Sequence, residues 1–214
     1  LGDSLYMRIL KAPFPYFGGK RKVADIVWAR FGDVYSYVEP FAGSLAVLLG
    51  RPTLPRIETV NDLNCYIANF WRALKADPEE VVKYADGPVN EADLTARHHW
   101  LVEQKDFRNR MLLDPDFYDS KIAGWWVWGI SAWIGGGWCK YSDDKDPHNK
   151  SLFDSEGNPR TTRPNLFRYG TGIHRQRPHL SGSGQGIHGL INQNHLLEYF
   201  NSLANRLHRV RVCC

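Results

Sequence analysis

The chain has 214 residues, 43% of them hydrophobic and 23% charged, with a formal net charge of +4, enough for one globular domain or one domain with a substantial insertion. No apolar run approaches the roughly 20 residues of a membrane-spanning helix, and Asp3 and Arg8 break up an amino end that carries no secretory pattern, so a helical membrane protein is excluded. The four cysteines (Cys65, Cys139, Cys213, Cys214) are too few and too scattered for a disulfide scaffold and form no Cys-x-x-Cys pair for structural zinc, which points to a reducing, cytoplasmic setting.

Lys20 to Phe31 reads as an amphipathic helix, with Val23, Ile26, Val27 and Phe31 at i, i+3, i+4 spacing. Tyr35 to Val38 is short, aromatic and β-branched and reads as a strand running into Glu39-Pro40. After Gly43, Ser44 to Leu49 predicts a helix that Gly50 and Pro52 end. Ile57 to Val60 reads as a second strand with Asn61-Asp62 at its carboxyl end, and Cys65 to Lys75 as a helix with Ile67, Phe70, Trp71 and Leu74 on one side. Strand, helix, strand and helix within about 40 residues are the pattern of a βαβ unit in an open, mainly parallel sheet.

From 79 to about 120 the chain is charged and helical in composition, and Trp125 to Trp138 is dense in Trp and Gly, a cluster better suited to packing than to base stacking. Residues 142–190 form a polar Gly/Pro-rich excursion too long for an ordinary connection. Within 157–190 there are five Arg, seven Gly, three His and no acid, and residues 121–214 carry a net +6 against −2 for 1–120. Such a segment attracts polyanions, nucleic acid foremost. Leu196, Leu197, Phe200, Leu203 and Leu207 mark one face of a further helix, and Val210 and Val212 a last strand. The chain thus reads as a βαβ domain interrupted by a large inserted module, and it stops on an incipient strand, which suggests a fragment. The histidines match no metal-ligand spacing, and no metal is expected.

Two features of the βαβ unit carry chemistry. In Val38-Glu39-Pro40-Phe41-Ala42-Gly43-Ser44 a glycine stands where a strand turns into a helix, so backbone can approach a ligand and offer free N–H groups. Asp62 lies 19 residues later at the next strand end, close to the separation at which nucleotide-binding folds place an acid for ribose hydroxyls. An ordinary turn with an N-capping Asp is the alternative. Upstream, Pro13-Phe14-Pro15-Tyr16-Phe17-Gly18-Gly19-Lys20 lacks the spacing of a P-loop, but its aromatic, glycines and cation suit a ligand with a carboxylate and a ring.

In order and spacing, Phe-x-Tyr-x-Gly-Gly-Lys, Val-Glu-Pro-Phe-Ala-Gly-Ser and Asn-Asp-Leu-Asn resemble the DNA adenine N6-methyltransferases of the Dam type. The resemblance covers about residues 13–75, and Gly137-Trp138-Cys139-Lys140-Tyr141 is similar to the start of that family's target-recognition module. It implies an α/β, Rossmann-like S-adenosylmethionine-dependent methyltransferase fold with an inserted, mainly helical and loop-rich target-recognition module. Residues 1–78 and 191–214 would form the α/β domain, incomplete at its carboxyl end, and 79–190 the module. The cofactor is S-adenosylmethionine, with Tyr16, Gly18, Gly19, Lys20, Glu39, Phe41, Gly43 and Asp62 as its binding residues: Lys20 for the methionine carboxylate, Asp62 for the ribose, an aromatic for the adenine face. The partner is double-stranded DNA, with Lys140, Tyr141, Arg160, Arg163 and Arg168 as candidate contacts, in a bacterial or phage-infected cell.

The chain departs from the family at one motif. These enzymes hold the target amine with Asp-Pro-Pro-Tyr at a strand end and act on a flipped base. This sequence has no Pro-Pro pair, and Asp77-Pro78, Asp114-Pro115 and Asp146-Pro147 lie in polar contexts, so no catalytic residue is assigned. Truncation just before the catalytic strand is the expectation, with no methyl transfer by this chain alone. The rivals are a non-catalytic nucleic-acid-binding protein on the same fold and a nicotinamide oxidoreductase, the latter disfavoured by the lone glycine in the turn.

Overall fold

The computed structural model describes residues 10–16, 18–133, 138–139, 187 and 193–214. Three parallel strands, β1 (Ser36–Glu39), β2 (Ile57–Asn61) and β3 (Val210–Cys213), form one sheet in the order β1-β2-β3. Ser36 lies opposite Ile57 and Glu39 opposite Val60, while Glu58 pairs with Val210 and Asn61 with Cys213, so the carboxyl ends of all three strands finish together. The helices are α1 (Ala24–Phe31), α2 (Ala46–Leu49), α3 (Cys65–Ala76), α4 (Pro78–Ala85), α5 (Glu91–Val102), α6 (Phe107–Leu113), α7 (Ser120–Ala132) and α8 (Gln193–Leu207).

Consecutive parallel strands joined by crossovers of the usual right hand place their helices on one face of a sheet. The burial pattern agrees: Tyr37, Glu39, Glu58, Val60, Val210 and Val212 are buried, whereas Ser36, Val38, Ile57 and Arg211 on the other face are exposed. Ten consecutive residues of α3, Cys65 to Leu74, are buried, so this helix is surrounded rather than amphipathic. It packs on α7 and α8, and α7 also packs on α4 and α5. One apolar cluster runs from Phe14 through Trp71, Trp126 and Phe200 to Val212.

The approach of α7 to α4 depends on a glycine. A Cβ at Gly124 would stand 2.6 Å from the Val81 carbonyl oxygen and 2.5 Å from Tyr84 Cβ, inside van der Waals contact. The tryptophans around it serve packing. Trp126 and Trp128 are fully buried, and Trp138 donates its Nε1–H to the Trp126 carbonyl at 3.1 Å. His98 stacks on Trp133 at 5.5 Å, and burial lowers its pKa to about 4.

Glu58 of β2 ties the sheet to its helices. Its side chain is 1% exposed and meets Arg51 at 3.2 Å and Arg206 of α8 at 2.7 Å. Arg51 also donates to the Val34 carbonyl at 2.6 Å and lies 5.1 Å over the Trp28 ring, and Arg206 donates to the Leu48 carbonyl at 3.0 Å. The buried carboxylate is therefore doubly paired and the guanidinium protons have acceptors, the condition under which a buried ion pair is tolerated.

The strands and most helices stand where the sequence places them, with two corrections. The first turn of the predicted 20–31 helix is a 3-10 turn, Lys20–Val23, whose three residues per turn shift the phase of the α-helical turns after it. The helix consequently packs through Ala24 and Trp28, and Val23, Ile26 and Phe31 of the predicted face are exposed. The helix after Gly43 is a single turn, because Gly43 and Leu45 both adopt positive φ, +50° and +54°. Two of the Asp-Pro sites have structural duties. Asp77 caps α4 by accepting the Glu80 N–H, and Asp114 accepts the N–H groups of Asp116 and Phe117.

Replacing Glu58 by Leu removes the carboxylate that pairs the buried Arg51 and the partly buried Arg206 guanidinium groups and is expected to cost about 3–5 kcal/mol in chemical denaturation, the range for breaking a buried pair from one side. Gly124→Ala is expected to destabilise by about 1–3 kcal/mol, the cost of overpacking, because α4 must move away from α7.

Candidate functional site

The eight residues expected to bind a cofactor gather at the carboxyl ends of β1 and β2, where ligands of open α/β sheets sit. The turn after β1 passes the end of β2, and the two are stitched together by backbone and side chain. The Ala42 N–H donates to the Asn61 carbonyl at 2.9 Å, and Asn61 Nδ2 donates to the Pro40 carbonyl at 3.2 Å. Asp62 completes the join. Its Oδ2 accepts the Gly43 N–H at 2.7 Å and its Oδ1 the Asn64 N–H at 2.9 Å. Each oxygen of an ionised carboxylate has a second acceptor site, so both remain able to take a ligand hydroxyl.

Tyr16 covers this corner. A Cβ on Gly43 would lie 2.6 Å from Tyr16 Cε1, so the ring rests on the bare glycine, whose positive φ of +50° also favours the absence of a side chain. Burial, and then the neighbouring Asp62 charge, raise the Tyr16 pKa and keep the phenol protonated. The Tyr16 carbonyl accepts the Gly19 N–H at 3.1 Å and closes the turn that delivers Lys20. Gly18 in that turn has φ +76°, a conformation that suits glycine.

Lys20 and Glu39 form the second half of the site. The Lys20 ammonium donates to the Phe41 carbonyl at 2.7 Å and lies 2.7 Å from Glu39 Oε1. Glu39 is 3% exposed, and its Oε2 accepts the Tyr37 hydroxyl at 3.0 Å. Burial, then the Glu39 charge, push the Tyr37 phenol well above its ordinary pKa, so it stays a donor. Glu39 Oε1 takes no directed hydrogen bond among the described residues, although the Lys20 charge faces it. One ammonium proton of Lys20 is left for a ligand, the others facing the Phe41 carbonyl and Glu39 Oε1. The Phe41 side chain, 82% exposed, stands free beside them.

Two supporting residues were not legible in the motifs. Trp71 of α3 donates its Nε1–H to the Gly43 carbonyl at 2.9 Å, holding the glycine from the other side. Tyr37 orients Glu39 from two positions earlier on β1, where the period-two alternation of a strand puts both on one face. That alternation is the one sequence signal that finds it. Beyond Asp62 the loop borders a cavity of about 160 Å³ lined by Leu63, Asn64, Cys65, Tyr66, Gln104, Phe107, Arg108 and Cys139. None of the eight expected residues lines it, so it adjoins the corner without being part of it. The expected DNA contacts Lys140, Tyr141, Arg160, Arg163 and Arg168 lie outside the described residues. Among the described residues no group of three metal-ligating side chains converges, and no helix is long and apolar enough to cross a membrane.

Gly43→Ala puts a methyl group into the Tyr16 ring and a Cβ into left-handed backbone, at about 1–2 kcal/mol for the latter. Because Tyr16 is partly exposed and its ring can be displaced by the new methyl group, the expected result is a fall in melting temperature of a few degrees, read by thermal denaturation followed by circular dichroism.

Residues 16–112 match the family model for D12 class N6 adenine-specific DNA methyltransferase, a span that begins at Tyr16 and contains Lys20, Glu39, Gly43 and Asp62. No curated protein matches the chain. The resemblance read from the three motifs is thereby borne out over residues 16–112, which are similar to the D12 class of N6 adenine-specific DNA methyltransferases.

Proposed function

We propose that the chain binds S-adenosylmethionine at the corner between β1 and β2 and serves site-specific methylation of adenine N6 in DNA. The observation that carries this reading is the convergence of Tyr16, Gly43 and Asp62 on one side of the turn and Lys20, Glu39 and Phe41 on the other. The donor and acceptor set fits that ligand. Asp62 has free acceptor sites for ribose hydroxyls, and the third Lys20 proton suits a carboxylate. The exposed Phe41 ring suits a purine face, and Glu39, paired through Oε1 with the Lys20 ammonium, keeps that cation in place.

When bound, S-adenosylmethionine supplies a methyl group on a positively charged sulfur. The chain's own contribution is alignment, which lowers the barrier by fixing the reacting partners rather than by altering their chemistry. Asp62 holds the Gly43 turn and would hold the sugar, Tyr16 excludes water from above the turn, and Glu39 fixes the Lys20 charge. For DNA, the segment 79–190 is the proposed target-recognition module, with α4 to α7 as its base. Lys140, Arg160, Arg163 and Arg168 would supply phosphate affinity and Tyr141 a base contact. The chain contains no Asp-Pro-Pro-Tyr, so the part that binds the target amine is not assigned to any of its residues. This favours a second reading, binding of cofactor and DNA without transfer by the 214-residue chain alone.

Calorimetric titration with S-adenosylmethionine is expected to give one site, and Asp62→Ala to weaken it by about tenfold to a hundredfold, the equivalent of hydrogen bonds to a charged group. No heat with S-adenosylmethionine, or equal heat with a nicotinamide dinucleotide, overturns the assignment. Incubation with tritiated cofactor and duplex DNA is expected to leave the DNA unlabelled, and labelled N6-methyladenine contradicts the second reading.

A further inference from the structure

The cavity beside the Asp62 loop contains a chemical group that the methyl-transfer reading does not use. Cys65 is the first residue of α3, a twelve-residue helix capped by Asn64, and it lines the cavity together with Arg108. Cys214 comes directly after β3, whose Cys213 carbonyl accepts the Asp62 N–H at 3.3 Å, so the strand end lies against the same loop. The two sulfurs, 149 residues apart in sequence, stand 3.0 Å apart, with the Cys214 thiol donating to Cys65 Sγ.

We propose that Cys65 and Cys214 are a reversible thiol–disulfide pair, with Cys65 as attacking thiolate, Cys214 as resolving thiol and a small-molecule disulfide as oxidant. A bonded pair needs about 2.05 Å between sulfurs, so a movement of about 1 Å suffices. The surroundings favour the roles. The hydrogen bond from Cys214 first, and the Arg108 and Arg72 charges after it, hold the Cys65 thiol below its ordinary pKa against the opposing effect of burial. The amino end of α3 adds its partial positive charge, the setting in which cysteines become nucleophilic. Cys139 lines the same cavity, but burial pushes its thiol well above the ordinary value, so it stays inert.

The chemistry balances in two exchanges. The Cys65 thiolate attacks one sulfur of the oxidant, forming a mixed disulfide and releasing one small thiolate. Cys214, deprotonated, then attacks Cys65 Sγ, closes the internal bond and releases the second small thiolate. The protein loses two electrons and two protons, and the oxidant is reduced to two thiols. The closed bond ties the end of β3 to the start of α3 across the loop that carries Asp62. It depends on the fold alone and not on the identity of the ligand.

The test treats the chain with oxidised glutathione, blocks free thiols with iodoacetamide and maps peptides by mass spectrometry without reduction. The expected result is a Cys65–Cys214 linked peptide that dithiothreitol removes, with Cys139 still in its free, unreacted state. Cys214→Ser is expected to stop at a glutathione adduct on Cys65, and Cys65→Ser to abolish the cross-link. Far-UV circular dichroism checks that both variants are folded. A Cys65 that is fully alkylated in the Cys214→Ser chain, or a cross-link through Cys213 or Cys139, overturns the proposal.

Discussion

The site depends on one carboxylate that holds two backbone amides. Asp62 reaches back from the end of β2 to the Gly43 N–H and forward to the Asn64 N–H, with both contacts under 3 Å. Hydrogen bonds to a charged acceptor are among the strong ones, and here they join the turn after β1 to the cap of α3. Without that join the glycine turn keeps the Trp71 indole at its carbonyl, the Lys20 ammonium at the Phe41 carbonyl and the Asn61 contacts at its flanks. The same two bonds shape the proposed cofactor corner, because each oxygen of the acid that braces the turn keeps a further acceptor site.

The parallel register makes the corner possible. β1 and β2 end level with each other, so the residues just beyond both strands share a small volume, and α3 begins directly behind them. The Glu58 cluster ties β2 to α8 through Arg206 and to the segment after α2 through Arg51. Packing and the candidate site therefore share the same strands, and Glu39 lies on the core face with Glu58 and Val60. Glu58 and Val60 point into the core, while the strand ends Glu39, Asn61 and Asp62 carry the polar contacts.

Much of this was legible in the sequence because it is local. A strand, a glycine turn, a second strand and an acid at its end are set by neighbours within a few residues, and the spacing from Gly43 to Asp62 survives in a single hydrogen bond. What escaped is nonlocal. Glu58 reads as an ordinary polar residue of a half-buried strand until Arg206 arrives from 148 residues away. The face of α1 was misread because a tight first turn changes the phase that apolar spacing assumes, and because one Trp outweighs several smaller apolar residues in deciding which side packs. Tyr37 and Trp71 support the site through a strand alternation and a helix facing that the motifs do not encode.

The most direct measurement is residue-resolved. Backbone amide resonances of an isotopically labelled chain, monitored while S-adenosylmethionine is added, report where the ligand touches. The account predicts the largest changes at Gly43 and Asn64, whose amides bind the carboxylate that would take the ribose, with Lys20 and Phe41 next. Changes confined to α4 to α7, with the Gly43 and Asn64 signals unmoved, contradict it.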